Sequence, residues 1–270
     1  MNNCLQLGED EQKCIQIKIL KEVANYCYNN KIRYYLGYGT LLGAVRHKGY
    51  IPWDDDIDIV MPRPDYKKFI HNFNKNHENF HVYDVENNPD YPWPYAKVSY
   101  NKTISIETTD LVFNQLGVNI DVFPIDGLPD DKNKQEKLVK EIKWYLNLLN
   151  IKSISLNANR KFYKNAILVI GKFLLLFINY RKIIEKIINK AKYFKYDGSK
   201  YVACLVWGYG EKEILPKKVF ESQVKMKFEN IEFYVPVGYH EYLTHLYGDY
   251  MQLPPEGKRV THHSCKTYYK

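Results

Sequence analysis

Four aspartates crowd into five residues at Asp54-Asp55-Asp56-Ile57-Asp58, and the chain runs on as Ile59-Val60-Met61. From Asp56 to Ile59 acidic and apolar side chains alternate. A strand turns alternate side chains to one face, so Asp56 and Asp58 are expected side by side, with Ile57 and Ile59 towards the core. Two carboxylates held in that way repel, and each raises the other's pKa unless a cation sits between them. All-oxygen donors of this kind suit hard divalent ions, Mg2+ or Mn2+, bound together with a phosphate. An acidic turn followed by an ordinary edge strand is written with the same letters. The pair by itself does not choose.

Two neighbours sharpen the first reading. Residues 32–38 read as a strand, Gly39 as a tight turn, and Thr40 as the N-cap of a short helix over 41–45. A glycine turn feeding a helix N-terminus presents amide N–H groups and a partial positive charge, which favour phosphate. Fifteen residues lie between Thr40 and Asp56, room for one short helix and a return strand. Asp121 is the other neighbour. It stands alone among apolar residues in Val118-Asn119-Ile120-Asp121-Val122-Phe123, and a third carboxylate on a third strand completes a metal site.

The blocks GTLLGAVRHKGYIPWDDDIDIVMPRPDY, IDVFPIDGLP and GYHEYLTHLYGDYMQLPPEGKR resemble the LicD family, bacterial phosphocholine transferases related to the fukutin-related proteins. The likeness spans roughly residues 34–263 with a variable middle. It implies a nucleotidyltransferase-type fold, with Gly39-Thr40 as the turn, Asp56-Ile57-Asp58 as the metal strand and Asp121 as the later carboxylate. It also implies transfer of a phospho-substituent from a CDP-activated alcohol, CDP-choline first, to a sugar hydroxyl of a glycan or lipid-linked glycan. In that reaction Asp56, Asp58 and Asp121 hold Mg2+ or Mn2+, and Asp121 lies nearest the attacking hydroxyl as ligand or base. Gly39, Thr40 and Arg46 face the phosphates, unless Arg46 pairs with Asp54 or Asp55 to shape the acidic loop. Lys97, a lone cation in the run 95–98, is expected to reach the pyrophosphate. Tyr38 is expected to stack on the base. Trp53, Trp93, Tyr91 and Tyr95 offer aromatic faces to a quaternary ammonium. His262 and His263 are candidates for contact with the leaving group.

The elements that must position these residues define an α+β protein: a nucleotidyltransferase-like mixed sheet with flanking helices, a helical insertion and a C-terminal hairpin and helix. Residues 1–130 read as the catalytic core, 131–200 as a helical basic region, and 201–270 as a hairpin and helix packing back on the core. A helix is expected over 11–31 with Asp10 as N-cap, and another opening at Pro64. Strands are expected at 81–85, 95–100, 104–107 and 118–125, with Asp126-Gly127 turning into a helix over 131–149. A hairpin is expected around Glu229-Asn230 and a last helix over 238–247.

The chain has 270 residues, 45% hydrophobic and 26% charged, ordinary values for a globular protein. Five scattered cysteines without a Cys-x-x-Cys argue against a zinc knuckle or disulfide framework. The polar, acidic start lacks the pattern of a signal peptide, and the expected setting is cytoplasmic, at the inner face of the plasma membrane. Of the net charge of +8, residues 159–200 carry eleven Lys or Arg against two acids. Within that stretch the thirteen apolar-rich residues 166–178 are too few for a span, which needs roughly 20. An anionic membrane surface and a buried core helix followed by a solvated basic one are equally open there. Nucleic acid is not expected, since no binding motif accompanies the charge. A nucleotide-sugar glycosyltransferase also uses Asp-x-Asp but does not need Asp121 beside Asp58. An inactive membrane-associated assembly protein needs none of the three carboxylates.

Overall fold

Ten consecutive residues, Asn119–Leu128, form the central strand β6, and the rest of the sheet is assembled on its two edges. The computed structural model describes residues 5–106, 109–157, 160–259 and 266–270. Helix α1 (Glu9–Asn29), β1 (Tyr35–Leu36), α2 (Tyr38–Arg46), β2 (Asp58–Pro62) and α3 (Arg63–Asn72) come first. Then follow β3 (Phe80–Tyr83), β4 (Ala96–Tyr100), β5 (Thr103–Ile106) and β6. The sheet runs β1-β2-β6-β4-β3. β2 lies parallel to β6, while β1–β2, β6–β4 and β4–β3 are antiparallel. This is a mixed α/β architecture.

β6 is buried along nearly its whole length because helices cover the sheet: α1 lies against β4 and β6, and α3 against β2 and β6. The expected turn at Asp126-Gly127 is replaced by strand. β7 (Tyr201–Ala203) pairs with residues 126–128 and β8 (Leu215–Pro216) adds beyond it, so the strand continues to Leu128. Two features permit this. The fully buried Asp126 receives a two-point ion pair from Arg63, with Nε at 2.7 Å and Nη2 at 2.5 Å. Gly127 lets the Lys195 carbonyl approach to where a Cβ would sit, 2.5 Å away.

α1 begins two residues earlier than expected, with Gly8 rather than Asp10 as N-cap, and Asp10 joins two glutamates in the first turn. Its buried stripe is Ile15, Ile19, Leu20, Val23, Tyr26 and Cys27, while Tyr28 is exposed. α3 has Pro64 in its first turn, as read from the sequence. β9 (Gln223–Phe228) and β10 (Ile231–Pro236) form the expected hairpin, with both Glu229 (φ 49°) and Asn230 (φ 63°) left-handed. α7 (Tyr239–Tyr247) stops at Gly248, whose φ is 70°. The C-terminal β11 (Lys266–Tyr269), absent from the sequence reading, pairs with β5.

The middle of the chain is helical: α4 (Lys132–Ser153), α5 (Phe162–Leu174) and α6 (Tyr180–Ala191). Of the two readings left open for this stretch, a buried apolar helix followed by a solvated basic one does not form; the order is reversed. α6 buries Ile183, Ile184, Ile187, Ile188 and Ala191 and lies against α4, whereas α5 buries only Leu168. A stripe at 3.6-residue spacing gives α6 one face to pack; α5 turns its apolar arc outward and only its narrow inner side, with Leu168, meets α4. One buried cluster takes residues from all three stretches, from Leu7 through Val139 and Ile184 to Tyr250.

The Arg63–Asp126 pair yields a sharp expectation. Arg63→Met leaves a buried carboxylate unpaired and should lower stability by about 3–5 kcal/mol in urea denaturation. Adding Asp126→Leu should restore a good part of the loss.

Candidate active site

Asp58, Asp121 and Lys97 meet across three strands. Asp58 on β2 is the register partner of Asp121 on β6, and Asp121 is in turn the partner of Lys97 on β4. Register partners share a face, so two carboxylates and one ammonium stand in a row. Lys97 Nζ lies 2.6 Å from Asp121 Oδ1 and 3.3 Å from Asn119 Oδ1. The backbone of Asp58 is clamped on both sides. Its N–H donates to Thr40 Oγ1 at 2.8 Å, and its carbonyl accepts from the Gly37 N–H at 3.0 Å. The Asp121 N–H donates to the Ile57 carbonyl at 2.8 Å, which fixes the height of one carboxylate against the other.

Thr40 is therefore used otherwise than expected. The helix starts at Tyr38 with Gly37 as N-cap, and Thr40 lies inside the first turn, buried, with its hydroxyl accepting from β2. The reason is the return strand, which presents an amide where a cap would otherwise find one of its own. The hydroxyl keeps its proton to donate, and the first-turn amides of a helix have no carbonyl partner within it. Tyr38 has a left-handed φ of 44°, rare for a side chain of that size. Its ring holds that geometry from a buried seat against Phe123, Tyr209 and Tyr242. It is walled in and does not stand ready to stack on a base.

The acidic loop comes to the same place. One carboxylate oxygen from each of Asp54, Asp55 and Asp56 lies within 4.8 Å of the other two, a spacing that suits one metal ion. The sequence reading had left Asp54 and Asp55 outside the ligand set. Gly39 makes room for Asp54, since a Cβ there would stand 2.5 Å from Asp54 Oδ2. The loop is braced from both ends. The Gln16 side chain of α1 donates to the Asp55 carbonyl at 2.9 Å and accepts from Tyr50 Oη at 2.8 Å. Glu229 of the hairpin accepts from the Tyr50 N–H at 3.0 Å.

Burial, then Asp56, Asp121 and Asp54, push the Asp58 carboxyl well above the ordinary carboxylate range, against a smaller opposing pull from Lys97. The negative charge gathered here exceeds what Lys97 offsets. The site fits a hard divalent ion on that ground.

Arg46 is held elsewhere. Its Nη1 donates to the Tyr250 carbonyl at 2.7 Å and approaches that of Gln252 at 3.4 Å, tying the end of α2 to the loop after α7. Trp53 lies edge-on to His47 beneath the Arg259 guanidinium, and Tyr91 is wholly buried against Trp93 and Phe113. Of the four expected aromatics, Trp93 and Tyr95 flank the reacting face, with Lys97 Nζ 5.3 and 5.6 Å from their ring centres. His262 and His263 lie outside the described residues.

No motif or spacing pointed to the segment after β7. Trp207 packs edge-on Tyr95 at 5.6 Å, and Tyr209 stands between Tyr38 and Tyr247. Glu213 fastens this segment: it is buried and accepts from the Tyr209 N–H at 3.1 Å, and Gly208, at φ 95°, clears space for its carboxyl. Burial lifts the Glu213 pKa to about 8. Glu213 stands in a short acidic stretch that reads as surface, which is why spacing missed it.

The fold sets a carboxylate-rich strand pair beside the first turn of a helix. Residues 31–147 match the family model described as LicD/FKTN/FKRP, nucleotidyltransferase domain. The chain is 34% identical over 264 residues, 96% of its length and 97% of the relative's, to the lipopolysaccharide cholinephosphotransferase LicD of Haemophilus influenzae. It also shares 43% identity over 56 residues with an uncharacterized protein of Rickettsia typhi, covering 20% of this chain and 18% of that one. The chain belongs to the LicD family.

Two outcomes follow from the charges. Without divalent ion, Asp58→Asn should melt no lower than the unsubstituted chain at neutral pH, and the stabilisation conferred by added Mg2+ should vanish. A neutral Glu213 favours folding at low pH, and that contribution fades as pH rises from the usual carboxylate range to about 8. Glu213→Gln, which keeps the acceptor for Tyr209, should flatten this part of the stability profile measured in urea.

Proposed function

We propose that this chain is a divalent-metal-dependent transferase. It moves phosphocholine, or a similar phospho-alcohol, from a CDP-activated donor to a sugar hydroxyl of a cell-envelope glycan precursor. The observation that carries the reading is the register pairing of Asp58 with Asp121 beside the first turn of α2. The end-to-end likeness to a lipopolysaccharide cholinephosphotransferase supports the choice of group and acceptor class. A glycosyltransferase that holds a nucleotide-sugar with Asp56 and Asp58 leaves Asp121 without a part. No element of the described residues favours that reading. The setting is the cytosolic side of a membrane that carries the acceptor; among the described residues no helix is long and apolar enough to cross one.

Asp56, Asp58 and Asp121 would hold Mg2+ or Mn2+, with Asp54 and Asp55 close by, and the ion supplies charge neutralisation at the donor phosphates. The first-turn amides of α2 and the Thr40 hydroxyl donate to phosphate oxygens. Lys97 offsets the charge that develops on the leaving side. Asp121 takes the acceptor's proton as the sugar oxygen bonds to the phosphorus bearing choline. The bond from that phosphorus to the bridging oxygen breaks, and CMP departs with the electron pair. Trp93 and Trp207, both partly exposed, receive the quaternary ammonium on their ring faces, with the buried Tyr95 behind them. The Lys97 ammonium 5.3 Å from the Trp93 ring centre supports a cation at that face.

The test is CMP release in the presence of Mg2+ from CDP-choline, CDP-glycerol and CDP-ribitol. CDP-choline should turn over fastest, and chelation should stop it. Asp58→Ala should lower kcat by about a thousandfold or more, a loss of roughly 4 kcal/mol of transition-state stabilisation. Activity surviving that substitution would remove the metal from the reaction. Trp93→Ala should raise KM for CDP-choline by about 5- to 30-fold, the worth of a cation–π contact, and leave KM for CDP-glycerol nearly unchanged.

A further inference from the structure

Helix α5 is built with its apolar side outward. At about 100° per residue, Phe162, Ile167, Val169, Ile170, Phe173 and Leu174 cover an arc of about 160°. All six are exposed, Phe173 to 74%. The inner side presents Leu168 and Gly171 to α4, the glycine lying against Ile151. On this inner side Lys172 is held by Asp110 at 2.6 Å and the Lys152 carbonyl at 3.1 Å. The apolar surface continues past the helix into Leu176 and Phe177, the latter 96% exposed. An apolar patch of this extent on a soluble surface marks something it docks against.

The charge around it says what. From 160 to 200 the chain has eleven Lys or Arg and two acids. Lys161, Lys164, Lys182 and Lys186 are exposed and flank the patch in the chain. A second copy docked face to face would bring two such basic rims together, which is repulsive. Anionic headgroups complement the rim, and acyl chains complement the arc. A thirteen-residue helix is about 20 Å long, against roughly 30 Å of hydrocarbon, so it lies in the interface and does not span.

We propose that α5 and the turn after it are an interfacial anchor that seats this protein on an anionic bilayer, phenyl rings in the acyl boundary and lysines among the headgroups. The inference holds whatever group the carboxylate site transfers, and vesicle binding alone decides it.

The test is flotation of the full chain with phosphatidylcholine vesicles, with and without about one third phosphatidylglycerol. The chain should float with the anionic vesicles, lose most of that binding at high salt, and stay behind with phosphatidylcholine alone. Phe162→Ser/Phe173→Ser/Phe177→Ser changes only outward side chains, so its melting temperature should hold while vesicle binding falls about tenfold or more. Lys161→Gln/Lys164→Gln/Lys182→Gln should lose the salt-dependent part. CMP release without vesicles should be the same in all three proteins. Absence of flotation with anionic vesicles, or flotation indifferent to the serine substitutions, overturns the proposal. A dimer in sedimentation that the serine substitutions dissociate, without vesicle binding, also overturns it in favour of a second copy.

Discussion

Like charge held in place by backbone pairing is the constraint on which this structure depends. Asp58 and Asp121 would separate if their side chains chose, since the Asp121 charge disfavours the ionised form of Asp58. They stay together because neither is placed by its side chain. The parallel ladder of β2 and β6 sets them opposite each other, the Gly37 N–H and Thr40 hydroxyl fix the Asp58 backbone, and the Ile57 carbonyl fixes that of Asp121. The repulsion is borne by sheet and core, and is relieved when a cation arrives. A site of this kind costs stability in the empty protein, a trade often found where function needs an unfavourable arrangement.

The supports are distant in the chain and each does one task. Gln16 on α1 holds the acidic loop through the Asp55 carbonyl, and Glu229 on the hairpin holds it through Tyr50. Glu213 anchors the segment that carries Trp207 and Tyr209 over the reacting face. Arg46 fastens α2 to the loop after α7. The C-terminal stretch is thus part of the site and not an appendage. The helical middle stands apart from this work: α6 gives its isoleucines to the core, and α5 keeps its apolar face outside. The proposed reaction and the proposed surface attachment are thus divided between sheet and insertion.

Whatever rests on local spacing and backbone preference was legible in the letters alone. Alternation placed Ile57 and Ile59 in the core with Asp58 between them, and Glu229-Asn230 with their left-handed φ values set the hairpin. Pro64 opened α3 and Gly248 closed α7 for the same kind of reason. These outcomes follow from the φ and ψ a residue permits and from which neighbours share a face, and both are written in the letters. Packing was needed to show that Asp126 continues a strand, because the Arg63 that neutralises it comes from 63 positions away. It likewise decided that Lys97 bonds Asp121, that Thr40 serves β2 instead of its own helix, and that Trp207 joins the aromatic rim. A side chain's charge and shape are local properties. The partner that satisfies them is supplied by packing across the whole chain.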